Sequence, residues 1–156
     1  QLNFGECSKI TDTGLFSLKE GLRPMSSLQT LMLNFYDCYN LGDDGLAYLK
    51  EVIRNMKSLK HLQLDFTNCK EITDVGLSYL RDSIKYSNYL QHLEINFWNC
   101  IRIDDEGLNY LKSVIKYLHS LKTLQLTLKR CTNISLRAVE NFRREVSNVQ
   151  SVHIDT

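Results

Sequence analysis

The chain has 156 residues, of which 43% are hydrophobic and 24% are charged, so it can bury the core of one domain and keep a charged surface. This composition excludes a disordered chain, which would have fewer apolar residues and a larger net charge. The 19 Lys and Arg residues nearly balance the 18 Asp and Glu residues, and the net charge of +1 argues against a general nucleic-acid binder.

An internal repeat organises the whole chain. The cysteines lie at a constant spacing of 31 residues, at Cys7, Cys38, Cys69, Cys100 and Cys131. The apolar residues around them recur in the same register, although the last unit departs from the pattern after Ile134. We therefore expect a single domain over 1–156, with repeats at about 1–27, 28–58, 59–89, 90–120 and 121–148 and a final strand at 149–156.

Each unit is predicted to begin with a strand and to continue into a helix. Leu31, Leu33 and Phe35 alternate with polar residues, as in a strand with one wet face, whereas Leu46 and Ile53 belong to a run with helical spacing. One repeat position suits helix capping and holds Thr11, Gly42, Thr73, Asp104 and Ser135. The next position favours the helix dipole and holds Asp12, Asp43, Asp74 and Asp105.

The order of strand, turn, helix and next strand demands a parallel sheet with right-handed crossovers. A parallel sheet that is covered on both faces has continuously apolar strands, but these strands alternate. One face of the sheet should therefore be open to water. The predicted fold is an α/β solenoid, a horseshoe with the sheet on the concave face, the helices on the convex face and about five 31-residue repeats.

The two ends of the predicted array differ. The chain starts at Gln1 with a strand and no polar cap, so we expect a fragment of a longer chain, with further sequence or a bound neighbour at this end. In the last unit, Leu136 and Arg137 replace the Asp-x pair of the other units, and the return to the final strand is three residues shorter. Atypical terminal repeats often act as caps, so we expect a natural cap at the C-terminal end.

The repeat resembles a known family. Between Leu59 and Leu77 the sequence follows Leu-x-x-Leu-x-Leu…Cys-x-x-Ile-Thr-Asp-x-Gly-Leu, which is similar to the cysteine-containing leucine-rich repeat. The resemblance covers essentially the whole chain, although the unit is longer than usual and no F-box segment is present. Such repeats form the substrate-receptor arms of F-box ubiquitin ligases and occur in axonemal regulatory subunits, so the resemblance implies protein binding.

The cysteines are predicted to be structural. Zinc sites need close pairs such as Cys-x-x-Cys, and the sequence has none. Cysteines on neighbouring units would point in parallel, with Cβ atoms about 5 Å apart, too far for the usual disulfide. We expect all five to be buried and reduced, which fits an intracellular protein. With the resemblance, this gives a cytoplasmic or a cytoskeletal and ciliary location. No signal peptide and no membrane-spanning run is visible.

Residues that could carry other chemistry favour structural interpretations. His61 and His92 share a repeat position and should be neighbours, but no third ligand accompanies them, so a surface pair is preferred to a metal site. The glycines that include Gly14 and Gly45 are expected to let neighbouring units approach closely. The column of Tyr48, Tyr79 and Tyr110 on the helical side is expected to shield grooves between helices, with an adhesive ridge as the alternative. We expect no catalytic residue, metal, cofactor or small-molecule substrate.

The wet face of the sheet is the candidate binding site. Tyr36 and Trp98 lie at one edge and are expected to be exposed, and such aromatic residues are enriched among binding hot spots. Asp65 and Glu94 add mild negative charge, which favours a partner segment with Lys or Arg. The candidate partner-binding residues are Asn34, Tyr36, His61, Gln63, Asp65, His92, Glu94, Asn96 and Trp98.

These features predict a non-catalytic scaffold or adaptor subunit of a larger intracellular assembly, with protein partners and neither nucleic acid nor membrane. The alternative, from the resemblance, is the substrate-recognition arm of an F-box type ubiquitin ligase. A third class, an enzyme or enzyme regulator, lacks residues that could deliver activity.

Overall fold

Strands and helices alternate along the chain in a computed structural model that describes residues 1–7 and 9–156. The strands are Leu2–Asn3 (β1), Thr30–Asn34 (β2), His61–Asp65 (β3), His92–Asn96 (β4), Thr123–Thr127 (β5) and Ser151–Asp155 (β6). The helices are Asp12–Leu22 (α1), Asp43–Asn55 (α2), Asp74–Ile84 (α3), Asp105–Ile115 (α4) and Leu136–Glu145 (α5). The predicted α/β architecture of repeated units is confirmed.

The strands form one parallel sheet in sequence order, from β1 to β6. Thr30 pairs with His61, His61 with His92, and His92 with Thr123, so the spacing of the sequence repeat is also the register of the sheet. Thr123 pairs with Ser151 across the shorter last connection. The last strand therefore joins the sheet without a break in the pattern of inward and outward residues.

One face of the sheet is buried and the other is not. Leu31, Leu33 and Phe35 are buried, whereas Thr30 is exposed and Met32 is half-buried. The same pattern recurs in β3, β4 and β5, and the inward residues join one core with buried residues of the helices. Inside this core Phe4, Phe35, Phe66 and Phe97 form a stack with ring centroids 5.5 to 5.7 Å apart.

The helices begin where capping was predicted, but the aspartates do more than favour the helix dipole. Thr73, Asp104 and Ser135 accept a hydrogen bond from a backbone N–H in the first turn of their own helix, whereas Thr11 and Gly42 do not. The aspartate at the first position of each of α1 to α4 also accepts hydrogen bonds from the start of the next helix, as Asp12 does from Gly42. The helix starts are therefore tied together from one unit to the next.

The cysteines correct one prediction. Cys38, Cys69, Cys100 and Cys131 are buried free thiols, and each donates to the carbonyl oxygen of a phenylalanine one unit earlier, at 3.1 to 3.2 Å. Cys7 is exposed, because no earlier strand of this chain covers it, so burial of all five was wrong. Burial raises the pKa of Cys38 and of Cys131 to about 11, and it raises the pKa of the two central thiols further above the ordinary value.

Among the described residues, no helix has both the length and the apolar character needed to cross a membrane.

Candidate functional site

We call the uncovered side of the sheet the open face: the outward residues of β2 to β6 and the second residue after each of β2 to β5. All nine predicted binding residues lie on it, because the parallel register carries equivalent residues to the same side. They fall into two groups. His61, Gln63, His92 and Glu94 line a shallow groove of about 470 Å³ across the middle of the strands. The others follow the edge where the strands end.

The two histidines are in contact, as their spacing predicted. The ring centroids of His61 and His92 lie 4.3 Å apart with the planes inclined by 16°, and Nδ1 of His92 lies 2.8 Å from Oγ1 of Thr123. Partial desolvation, the neighbouring His61 and the charge of Lys122 lower the pKa of His92. The two rings therefore present one flat surface, and the lowered pKa favours the neutral form of His92.

The centre of the groove offers hydrogen-bonding groups. Nε2 of Gln63 lies 3.5 Å from Oε1 of Glu94 on the adjacent strand. Met32 occupies the equivalent position on β2, and Gln125 occupies it on β5. The row thus combines one apolar side chain, two amides and one carboxylate, and could pair with the backbone and the polar side chains of an extended segment.

The polar residues at the strand ends are Asn34, Asp65 and Asn96, and their side chains make hydrogen bonds to the backbone of their own units. Oδ1 of Asn34 accepts from the backbone N–H of Tyr36 at 2.8 Å, and Oδ1 of Asn96 accepts from that of Trp98 at 3.0 Å. Asp65 makes the equivalent bond at 2.9 Å. These side chains form local turns that position the residues two places further on. Their first role is therefore to orient the aromatic edge.

The aromatic edge is less exposed than the sequence predicted. Tyr36 and Trp98 are both half-buried. The guanidinium of Arg130 lies 4.8 Å from the centroid of the Trp98 ring, at a distance typical of a cation–π contact. The carboxylate of Asp37 raises the pKa of Tyr36. Arg130 should therefore be counted with Trp98 as part of the candidate site.

A row of left-handed residues under this edge was missed. These residues have φ between 59° and 63° and are Glu6, Asp37, Asn68, Asn99 and Arg130. Nδ2 of Asn99 donates to Oδ1 of Asn68 at 2.7 Å, and the backbone N–H of Asn68 donates to the carbonyl of Trp98 at 2.9 Å. The sequence signal for this row is the Asp or Asn at one repeat position, Asp37, Asn68 and Asn99, because these residue types tolerate positive φ best.

The chemistry of the face is that of contact. Among the residues that the structure describes, no group of three or more His, Cys, Asp and Glu could hold a metal ion. The buried thiols are protonated at neutral pH and are turned into the core. The open face offers hydrogen-bonding side chains, carboxylates and aromatic rings.

No protein-family model matches the chain, and no curated protein matches it in sequence. The residues of the open face therefore carry the functional inference.

Proposed function

We propose that the chain is a non-catalytic binding subunit that holds an extended segment of a partner protein on its open face, within a larger intracellular assembly. The observation that carries this proposal is the uncovered sheet face, on which outward residues of neighbouring strands stand in register. An ordered, wet surface with hydrogen-bonding groups in the middle and aromatic residues at one edge is suited to a polypeptide.

We also propose that the repeat is a leucine-rich repeat of the cysteine-containing type, in a horseshoe with the open face concave. The thiol of Cys69, which bonds to the carbonyl of Phe35, supports this by giving the cysteine a constant structural task in each unit. The spacing of Leu59, Leu62 and Leu64 supports it as well, since all three side chains are buried. A concave surface would let several strands touch one partner segment at once.

The chemistry of the face suggests what the partner presents. Glu94 lies in the groove of the open face. Asp65 is half-buried and is the last residue of β3, at the edge where the strands end. A Lys or Arg side chain of the partner could pair with either carboxylate. An apolar or aromatic side chain would pack on Tyr36 or Trp98. The runner-up function, substrate recognition in an F-box type ubiquitin ligase, would use the same surface and rests on the resemblance alone.

Site-specific photo-cross-linking in cells tests the proposal. A benzoylphenylalanine is placed at Gln125 on the open face or, as the matched control, at the exposed Asn109 on α4. We expect the Gln125 probe to cross-link to one protein in stable stoichiometry, and the double substitution Tyr36→Ala and Trp98→Ala to abolish the adduct.

Adducts that form only from Asn109, or from neither position, would contradict binding through the open face. Ubiquitin-ligase subunits among the adducts from Gln125 would favour the runner-up function. The control for folding is the unfolding temperature of the double variant. It should match that of the wild type, because both replaced side chains are only half-buried.

A further inference from the structure

The charges of the chain are segregated between the two ends of the strands. Five segments lead from a helix into the next strand, and we call them together the basic rim. They are 19–30, 50–61, 81–92, 112–123 and 143–151. They hold thirteen of the Lys and Arg residues and four of the Asp and Glu residues. The opposite segments lead from a strand into the next helix, and we call them the acidic rim. They hold six Lys and Arg residues and eleven Asp and Glu residues, at 3–15, 34–46, 65–77, 96–108 and 127–139. Since all units run parallel, each set lies along one edge of the molecule.

Helix dipoles account for part of this segregation, because cations stabilise the last turn of a helix and anions stabilise the first. They do not account for Lys60 and Lys122, which directly precede β3 and β5. Lys57 lies beyond the end of α2, and its Nζ donates to the carbonyl oxygen of Arg54 in the last turn of that helix. Whether the other rim cations are available for a partner depends on whether a carboxylate of the chain pairs with them.

Exposed tyrosines accompany these cations. Tyr86, Tyr89 and Tyr117 are 57%, 64% and 66% exposed, and all three lie on the basic rim. Tyr86 and Tyr117 share a repeat position, so they are neighbours on adjacent units. Tyrosines that served only the core would bury their rings. Exposed tyrosines next to cations are typical of surfaces that bind another protein.

The cations around Tyr86 form no ion pair with a carboxylate of residues 1–7 and 9–156. The rim carboxylates each lie within 4 Å of a rim cation: Glu20 and Glu51 near Lys19, Asp82 near Arg81 and Glu145 near Lys116. Arg54, Lys57 and Lys85 are exposed and form no ion pair among the described residues.

These cations are also close to the aromatic rings. The guanidinium carbon of Arg54 and the Nζ of Lys85 lie 5.8 and 5.6 Å from the centroid of the Tyr86 ring. An open groove of about 480 Å³, lined in part by Lys85, Val114 and Tyr117, lies on the same side. Charge, aromatic surface and a recess thus occur together.

We propose that the basic rim is a second docking surface, which binds an acidic polypeptide segment through Arg54, Lys57, Lys85 and the rings of Tyr86 and Tyr117. An extended segment places carboxylates on one side about 7 Å apart, a spacing that a row of cations can meet. The rim suits a polypeptide because the groove lined by Lys85, Val114 and Tyr117 can accept an apolar side chain beside the cations that pair with carboxylates. The rim segments end at the first residues of the strands, but the five residues named for this binding lie outside the open face, so the proposal does not depend on the function proposed for that face.

Fluorescence anisotropy with the intact chain tests the proposal. The probe is a fluorescein-labelled peptide in which Glu alternates with Ser around a central Phe. We expect binding that weakens with ionic strength and weakens at least about tenfold in the variant Arg54→Glu, Lys57→Glu, Lys85→Glu. The matched control Lys9→Glu, Lys70→Glu, Arg137→Glu changes the net charge equally but lies on the acidic rim, and should bind almost normally.

Two further variants separate this surface from a general attraction between charges. Tyr86→Ala with Tyr117→Ala should weaken peptide binding, whereas Trp98→Ala on the open face should leave it unchanged. Equal loss in both charge variants, no binding at low ionic strength, or loss in Trp98→Ala would overturn the proposal. Tighter binding of a single-stranded oligonucleotide or of phosphatidylserine vesicles than of the peptide would overturn the class of partner.

Discussion

Oδ1 of Asp43 lies 2.9 Å from the backbone nitrogen of Gly76, which belongs to the first turn of the next helix. The same relationship joins Asp12 to Gly45 and Asp74 to Gly107. A carboxylate of one unit thus satisfies N–H groups that the following helix leaves unpaired. The glycine is needed because a side chain at that position would fill the space of the carboxylate.

The first prediction concerns this carboxylate. Asp43→Ala removes the acceptor for the backbone N–H of Thr73, for its hydroxyl and for the N–H of Gly76. We expect the free energy of unfolding to fall by roughly 1–3 kcal/mol in urea titrations. Asp44→Ala is the control, because Asp44 is an exposed first-turn aspartate with no hydrogen bond to its side chain among the described residues. An equal loss in both variants would show that only the helix dipole matters.

The second prediction uses the glycine itself. A Cβ at Gly76 would lie 2.5 Å from Oδ1 of Asp43 and 2.9 Å from Cδ2 of Leu46, so Gly76→Ala should lower the free energy of unfolding by about 1–3 kcal/mol. A Cβ at Gly21 would meet no atom within 4 Å, so Gly21→Ala should raise stability by about 0.5–1 kcal/mol through helix propensity. If both variants changed stability in the same direction, the close approach between units would not be limiting.

The third prediction concerns pH. Burial raises the pKa of the Cys38 and Cys131 thiols to about 11, whereas an unfolded thiol ionises near 9.0. Between these values the unfolded chain loses protons that the folded chain keeps, so the stability that the buried thiols confer below pH 9 is lost as the pH rises toward 11.

The pH dependence of the urea midpoint, measured for the wild type and for Cys38→Ser with Cys131→Ser, checks this prediction. The double variant should lose less stability over that interval, because a hydroxyl can still donate to the phenylalanine carbonyl and does not titrate there. Cys7→Ser, at an exposed thiol, removes one of the groups that raise the pKa of Cys38, and it should change the slope less than the double variant does. Identical slopes in all three proteins would contradict the assignment.

The fourth prediction concerns the stacked histidines. Partial desolvation, His61 and Lys122 lower the pKa of His92 below 6.5. His61→Asn should therefore raise the pKa of His92 toward 6.5 in an NMR titration of the ring protons, because it removes a neighbouring positive charge. His153→Asn, at a position two strands from His92, should leave the titration unchanged. No response to His61→Asn would mean that desolvation and Lys122 alone set the shift.

Local patterns in the sequence predicted most of the fold. The alternation around Leu31 and Leu33 gave the buried side of the strands, and the repeat length gave the register. The helix starts at Thr73, Asp104 and Ser135 were predicted because a capping side chain acts within a few residues of itself. These predictions were confirmed because each depends on sequence neighbours or on exact repetition.

Contacts between units were harder to predict. The bond from Gly76 to Asp43 joins residues 33 positions apart, and both residues already had sufficient local explanations. The row from Asp37 through Asn99 required knowing that its backbone adopts positive φ. The exposure of Trp98 was overestimated, because Arg130 occupies a neighbouring unit and nothing in its own repeat indicates that it covers the ring.

The aspartate contacts also have a direction. Asp12, Asp43, Asp74 and Asp105 each serve the unit that follows, and Leu136 at the same position in α5 has no carboxylate to offer. A complete interior unit could therefore be duplicated or removed, and every donor would still meet an acceptor. The width of the open face can thus grow or shrink in whole units while the contacts between units stay the same, so the number of units is easily varied in this architecture.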